Sequence, residues 1–431
     1  MHLDTAAAGR SSLATLAATA AHAEREAMTG AYVAAAEAAP VLAAGRAELA
    51  RLLGVPAAGL AFVPNAEEAL DALLLAWPFS EGDTVAVVRS EWGPNLHAFG
   101  ARGLRVTEIA TADDGAVDLA GLESMLASAP PALVHLTQVA SHRPLVQPVA
   151  AAAALCRAAG VPLWVDAAQA LGHVDTACGA DAIYSTSRKW LTGPRGVGLI
   201  GVTERWWSQL SISASPLMAN ARPADSSPLW LLEAGEANVA AWIGLCTAVQ
   251  EYVQAGPPRI WQRLAEVGQQ TRQALADVPG WTIAAPAAAA STFGRIPRLP
   301  APGTRLPAPG TRLPAPGTRL PASSVAAATP TPATPAPATP ARATPARAPT
   351  SPSAASAESS ASAITALRAT NGQDITATRT RLLEEYGIVT TAAVVARAPR
   401  DMTEPLLRIS PHVDCTPEDL AHLRAALIAL A

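Results

Sequence analysis

Short apolar runs separated by polar or helix-forming stretches mark most of the chain. Residues 84–88, 105–109, 132–136, 162–165, 182–184 and 197–202 are rich in Val, Leu and Ile and bounded by turn residues. Runs this short, spaced by longer alternating segments, read as strands joined by helices. An alanine-rich helical stretch extends to about Arg51 behind a small-residue start at Leu3 to Ser12. From Leu60 to Leu70 the pattern passes from strand to helix, with Asn65 at the N-cap and Glu68 three residues on in a capping-box arrangement. Such a helix start presents the backbone amides of Ala66 and Glu67, a ready place for a phosphate, although an ordinary cap has the same pattern. The alternation predicts an α/β fold with a mostly parallel central sheet in a large domain. Trp281 to Ala284 and Ile364 to Leu367 read as two strands of a smaller α+β C-terminal domain.

The expected organisation is an N-terminal segment at 1–20 packing with the small domain, a large domain at 21–250, and a small domain from 251–294 and 362–431. Between the two halves of the small domain lies an insertion at 295–361. It begins with a seven-residue repeat, Arg298 to Thr304, and continues in Ala-Thr-Pro tracts, holding 16 of the 38 prolines. Proline at that density stops both helix and sheet, so a disordered loop is expected. The insertion carries seven arginines and one glutamate, which leaves about -10 on the rest of a chain whose net charge is -4. That contrast suits either an acidic partner or a solvated repeat expansion.

At 431 residues with 50% hydrophobic and 15% charged positions, the composition is that of a soluble globular protein. The small net charge gives no pull toward nucleic acid or an anionic membrane. No run is long and apolar enough to span a bilayer, and the first residues lack a secretory pattern, so a cytoplasmic location is expected. Cys156, Cys178, Cys246 and Cys415 are widely spaced and suggest neither a metal site nor disulfides.

In an open α/β sheet, ligands sit beyond the carboxyl ends of the strands. The polar residues there are Glu91 to Asn95, Thr137 and Gln138, Asp166 to Gln169, and Ser185 to Lys189. Of the 31 basic residues only Lys189 is a lysine. A desolvated lysine can lose its proton and form an imine with an aldehyde, which arginine cannot. Asp166 ends an apolar strand, where a carboxylate needs a cation such as a protonated pyridine nitrogen. Gln169 and Gln138 can reach a phenolic oxygen on the same ring, and Trp92 offers a flat face for it. Thr186 and Arg188 join the amides of Ala66 and Glu67 as phosphate ligands. A pyridine bearing an aldehyde, a hydroxyl and a phosphate is pyridoxal 5'-phosphate.

The segment Val165 to His173, the Thr186 to Lys189 run and Gly193 to Gly198 together resemble the class V aminotransferase superfamily of fold-type I enzymes, which includes cysteine desulfurases and selenocysteine lyases. The resemblance implies that Lys189 bonds the cofactor, Asp166 partners its ring nitrogen, Gln169 its ring oxygen, and Thr186 with Arg188 its phosphate. It implies that Arg408, in a closing motif at Leu406 to Leu420, clamps the substrate carboxylate. It also implies a homodimer in which the segment at Leu232 to Val239 reaches the partner's phosphate, where the family's threonine is Glu236 here.

Two departures matter. The interval Thr390 to Pro405 lacks the loop cysteine of desulfurases, and Trp92 replaces their stacking histidine. These point to a carbon–sulfur lyase that releases its sulfur fragment into solution. Arg188, as a neighbouring cation, is expected to help keep Lys189 unprotonated. Trp92, His97, His142 and Arg143 are candidates for reading the rest of the substrate. A desulfurase or transaminase-like enzyme and a non-catalytic dimeric binding protein are the alternatives.

Overall fold

The computed structural model describes residues 1–213, 220, 226–233, 236–284 and 362–431. The expected insertion at 295–361 lies outside the described residues. The alanine-rich N-terminal stretch forms two helices, α1 (Leu13–Thr29) and α2 (Ala31–Leu53), rather than one. Gly30 divides them at φ +88°, a left-handed backbone that side-chain-bearing residues rarely adopt.

Strands β1 (Leu60–Val63), β2 (Thr84–Val87), β3 (Arg105–Glu108), β4 (Leu133–Thr137), β5 (Leu163–Asp166), β6 (Ala182–Thr186) and β7 (Gly198–Val202) make a sheet in the order β1-β7-β6-β5-β4-β2-β3. All neighbours from β3 to β6 are parallel, and β7 runs antiparallel to both β6 and β1. The helices α3 (Ala66–Ala76), α4 (Gly93–Ala101), α5 (Leu119–Ser128) and α6 (Val149–Ala159) connect these strands. β4, β5 and β6 are buried at every position, as sheets covered on both faces require. One face packs Leu136, Val165 and Ile183 in a large apolar cluster, and the other packs Trp164, Tyr184 and Ile200. Trp77 meets Trp164 edge-on at 5.0 Å.

After α7 (Val239–Ala255) and α8 (Pro257–Leu275), a second sheet has the order β10-β11-β9-β8, from β8 (Trp281–Ile283), β9 (Thr365–Ala369), β10 (Thr391–Ala393) and β11 (Leu406–Ile409). All its pairings are antiparallel. It packs with α9 (Ile375–Tyr386) and α10 (Pro417–Ala429) around Leu367, Leu382, Leu407 and Leu423. β10 has no apolar run to announce it. It forms because Thr391, Ala392 and Ala393 find β11 in register with Arg408, Leu407 and Leu406.

The first residues of the chain join the two sheets. Leu3 and Thr5 donate to Val389 O and Ser410 O at 2.9 Å, which places Leu3 in the core of the smaller sheet. Farther on, Gly9 N donates to Arg188 O at 2.7 Å, beside Lys189. Ser12 then caps α1 and donates to Glu251 on α7.

Candidate active site

A cavity of about 590 Å³ opens where β1, β4, β5 and β6 end, a volume suited to a cofactor with a small substrate. The parallel register sets Thr137 beside Asp166 and Asp166 beside Tyr184, so three strand ends deliver polar groups to one wall. The turn after β6 brings Thr186, Arg188 and Lys189 into the same space, and the start of α3 brings Asn65, Ala66 and Glu67. That turn is tightly closed, with Thr192 N on Lys189 O and Gly193 N on Ser187 O. Thr192 adopts φ +55° there, unusual for a β-branched residue.

Asp166 is buried and lines the cavity with one hydrogen bond to each carboxylate oxygen. Its Oδ1 accepts from Ala168 N at 2.8 Å and its Oδ2 from Asn95 Nδ2 at 3.0 Å. Burial is the largest influence and pushes its carboxyl above the ordinary range, opposed by Lys189, Ala168 N and Asn95. A cation arriving at this carboxylate would therefore relieve an electrostatic cost.

Behind it lies a buried polar cluster. Glu91 Oε1 accepts from Asn95, Thr137 and its neighbour Trp92 N, while Oε2 lies 2.9 Å from His135 Nδ1, and His135 Nε2 lies 2.9 Å from Tyr184 Oη. Burial works to raise the Glu91 carboxyl, but His135 and the hydrogen bonds from Thr137 and Asn95 outweigh it and hold Glu91 below its ordinary value.

Lys189 lines the cavity and its amine is pushed down to about 7. Burial is the main cause, Asp166 opposes it, and Arg188, Arg408 and Arg397 add to it. Arg188 helps to keep the amine unprotonated, as expected, with desolvation the larger cause.

At the other end, the N-cap differs from the expected box. Asn65 Oδ1 accepts from both Glu67 N and Glu68 N, at 2.9 and 3.0 Å. The Glu67 amide is therefore already taken, which leaves Ala66 as the amide to offer a phosphate. Thr186 holds its hydroxyl on Val197 O at 3.4 Å, and the Arg188 guanidinium donates to Ala7 O. Arg195, which had no assigned role, lines the cavity as well.

Gln169 is placed as expected, with qualifications. Its Nε2 donates to Ala6 O and its Oε1 accepts from Trp190 Nε1, both at 2.8 Å, so one N–H is left for a ring oxygen. Gln138 is not brought into the cavity wall. Its Nε2 donates to Asp175 O, and its Oε1 is buried without a partner. Trp92 lines the cavity with the Arg397 guanidinium over its ring, 5.4 Å from the centroid. His97 is exposed on α4 and does not line the cavity. His142 and Arg143 line a second cavity of about 450 Å³ and share Asp401 Oδ2, each at 2.7 Å.

Arg408 is fully buried and absent from the cavity wall. Its Nη1 donates to Ser141 O, its Nη2 to Asp4 and Thr391, and its Nε has no partner. Ser141 is the residue that faces the cavity in front of it. The expected carboxylate clamp is therefore closed by Asp4 in this structure. Glu236 is exposed and carries no contact to the cavity.

The lining has the charges that pyridoxal phosphate calls for. Among the described residues that line it, Lys189, Arg188, Arg195 and Arg397 face Asp166 and Glu67, an excess of positive charge suited to a dianionic phosphate. The strand-end acid, the amine of lowered basicity and the flat indole fit the ring end.

Comparison with known proteins agrees. A family model described as Aminotransferase class-V matches residues 1–296. A probable hercynylcysteine sulfoxide lyase of Mycobacterium tuberculosis (strain CDC 1551 / Oshkosh) is 40% identical over 437 residues, covering 100% of this chain and 90% of that protein. A cysteine desulfurase of Dickeya dadantii (strain 3937) is 29% identical over 54% of this chain and 60% of its own. Among solved structures, the apo cysteine desulfurase of Thermococcus onnurineus NA1 has a TM-score of 0.73 at 16% identity, covering 100% of this chain and 94% of the other. A cystine C–S lyase in complex with its product cysteine persulfide has a TM-score of 0.72 at 16% identity, covering 99% and 97%.

Proposed function

The chain belongs to the class-V aminotransferase family, and from that premise we propose that it is a pyridoxal-phosphate-dependent carbon–sulfur lyase acting on a cysteine S-conjugate or its sulfoxide, with hercynylcysteine sulfoxide as the substrate. The observation that carries the reading is Lys189, a cavity lysine of lowered basicity in the electrostatic field of a strand-end carboxylate, in a chain 40% identical to a protein of that name. When bound, the cofactor draws electron density from the substrate Cα and so acidifies its proton.

The chain's residues divide the remaining work. Ala66 N, Thr186, Arg188 and Arg195 would hold the phosphate, Asp166 the ring nitrogen and Gln169 the ring oxygen, with Trp92 along the ring. Lys189 would hold the cofactor's aldehyde and, as a base already poised near neutrality, would take the proton from the substrate Cα. The electron pair left on Cα forms the bond to Cβ, and the Cβ–S pair departs with sulfur. The three-carbon fragment then hydrolyses to pyruvate and ammonia. Arg408 is the cation for the α-carboxylate. Its charge acts on Lys189, and a substrate carboxylate would have to displace Asp4 from part of its fork.

All four cysteines are buried, and the Thr390 to Pro405 interval contains none, which argues against sulfur transfer to the protein. Among the described residues no helix is long and apolar enough to cross a membrane, and we place the protein in the cytoplasm. A homodimer is supported by the surface of α1 and α2, which carries six of the ten exposed large hydrophobics among the described residues, including Tyr32 at 84% and Met28 at 74% exposure. In that dimer Glu236 would approach the partner's phosphate site.

Incubation with hercynylcysteine sulfoxide and with cysteine, assaying pyruvate and ammonia against alanine and persulfide, tests the reading. Alanine with protein-bound persulfide would establish the desulfurase alternative instead.

A further inference from the structure

Arg397 is a cavity cation that the chemistry above leaves unused. Its guanidinium has no hydrogen-bond or ion-pair partner among the described residues, its Nε is buried and unpartnered, and it lies over the Trp92 ring. Burial works against its charge and Asp4 supports it only through space, without an ion pair, which marks the group as open to an anion.

Its position is fixed from three sides. A Cβ at residue 93, next to Trp92, would collide with Ala396 O, so only glycine lets the two loops approach this closely. Arg89 Nε donates to Arg400 O at 3.2 Å. Asp401, farther along the same loop, is held by His142 and Arg143. The guanidinium is therefore positioned before any ligand arrives, which lowers the cost of binding one.

The other anions of the reaction already have cations. Arg188 and Arg195 stand with the start of α3, where the phosphate goes, and Arg408, held on the O of the cavity-lining Ser141, is the cation assigned above to the α-carboxylate. We propose that Arg397, laid against Trp92, reads a second carboxylate carried by the part of the substrate that leaves with sulfur. The enzyme thereby selects S-conjugates with an acid on the leaving half. A guanidinium takes a carboxylate through two parallel hydrogen bonds, and the indole covers the adjoining apolar or cationic portion.

The inference rests on the lyase reading, and the test separates the two. S-(2-carboxyethyl)-L-cysteine sulfoxide and S-propyl-L-cysteine sulfoxide differ in the terminal carboxylate and little in size, and pyruvate release reports on both. The wild-type holoenzyme should favour the acid-bearing compound by about tenfold or more in kcat/KM, mostly through KM. In Arg397→Met that preference should fall by about tenfold, and Arg397→Lys, which keeps the charge, should retain part of it. Pyruvate from both compounds with no preference in the wild type, or an unchanged preference in Arg397→Met, overturns the proposal while leaving the lyase standing. Hercynylcysteine sulfoxide is assayed beside them: no pyruvate from any of the three sinks the lyase reading, whereas pyruvate from it and from neither stand-in overturns this inference alone.

Discussion

Asn95 Nδ2 lies 3.0 Å from Asp166 Oδ2 and bridges that carboxylate to the buried Glu91. One amide thus serves two acids, one facing the cavity and one behind it, and fixes the plane of the carboxylate that meets the pyridine nitrogen. Asn95→Ala leaves both acids short of a donor in a buried setting, at about 1–3 kcal/mol in stability. Because Asn95 helps to hold the Asp166 carboxyl down, its loss raises Asp166 further and weakens the hold on a protonated ring. Denaturant unfolding should show the stability loss, and kcat should fall by about tenfold with less change in KM.

Lys189 should titrate near neutrality in the apoprotein rather than near 10.5. A lysine with a lowered value is protonated below about 7 and a free amine above it. The rate at which added pyridoxal phosphate develops its visible band should therefore rise with pH through about 7 and level off above it. Asp166→Asn removes the charge that raises the amine, so its midpoint should move to lower pH. Lys189→Ala should gain no covalent band at any pH and release no pyruvate.

The contrast between what the chain's pattern announces and what it hides follows from how local each signal is. Strands such as Leu133–Thr137 and Leu163–Asp166 are apolar runs closed by polar residues, and both the sheet and its ligand-bearing ends could be read from them. Lys189 and Asp166 stood out because each breaks a local rule, the one as the only amine and the other as an acid ending a buried strand. Arg397 and Arg195 had no such mark among 30 arginines, and only the approach of distant loops sets them apart. The closure of Arg408 by Asp4 joins residues 404 positions apart, which no local pattern can report. Gln138 follows Thr137 at a strand end yet turns to Asp175 O, because neighbouring residues of an extended strand face opposite ways.

Cys415 is buried, and its thiol is pushed up to about 12, chiefly by burial and further by Asp419 and Asp414. Burial likewise raises Cys178. Neither forms a thiolate at neutral pH, so neither accepts sulfur. Cys415→Ala and Cys178→Ala should keep wild-type turnover in the pyruvate assay at the cost of some thermal stability. A large loss in either would mean that a protein thiol takes part.

Asp401 ties the loop bearing Arg397 to His142 and Arg143. Burial works against its charge, but the His142 hydrogen bond and the Arg143 charge outweigh it and hold the carboxyl at about 2. A carboxyl held low in the folded state contributes stability above its unfolded value near 3.8, and that contribution fades as pH falls toward about 2. Asp401→Asn should lower stability by about 2 kcal/mol at pH 7 and by progressively less from pH 4 downward, as unfolding at several pH values would register.

Asp4 and Arg408 provide the sharpest test of where the α-carboxylate goes. Asp4 Oδ1 accepts from Arg408 Nη2 at 3.1 Å and from Thr391 Oγ1 at 2.5 Å, so a substrate carboxylate must compete with Asp4 for the same guanidinium. Asp4→Asn keeps an oxygen acceptor for both donors and removes the competing charge. KM should fall about two- to fivefold with kcat little changed, while the melting temperature drops because a buried cation has lost its ion pair. Arg408→Lys keeps a charge but cannot reach Asp4, Thr391 and Ser141 O together, so its KM should rise about tenfold or more. Opposite signs in the two variants locate the carboxylate at Arg408. A rise in KM in both would mean instead that the Asp4–Arg408 pair only braces the first residues of the chain against β11, leaving the α-carboxylate to another cavity cation.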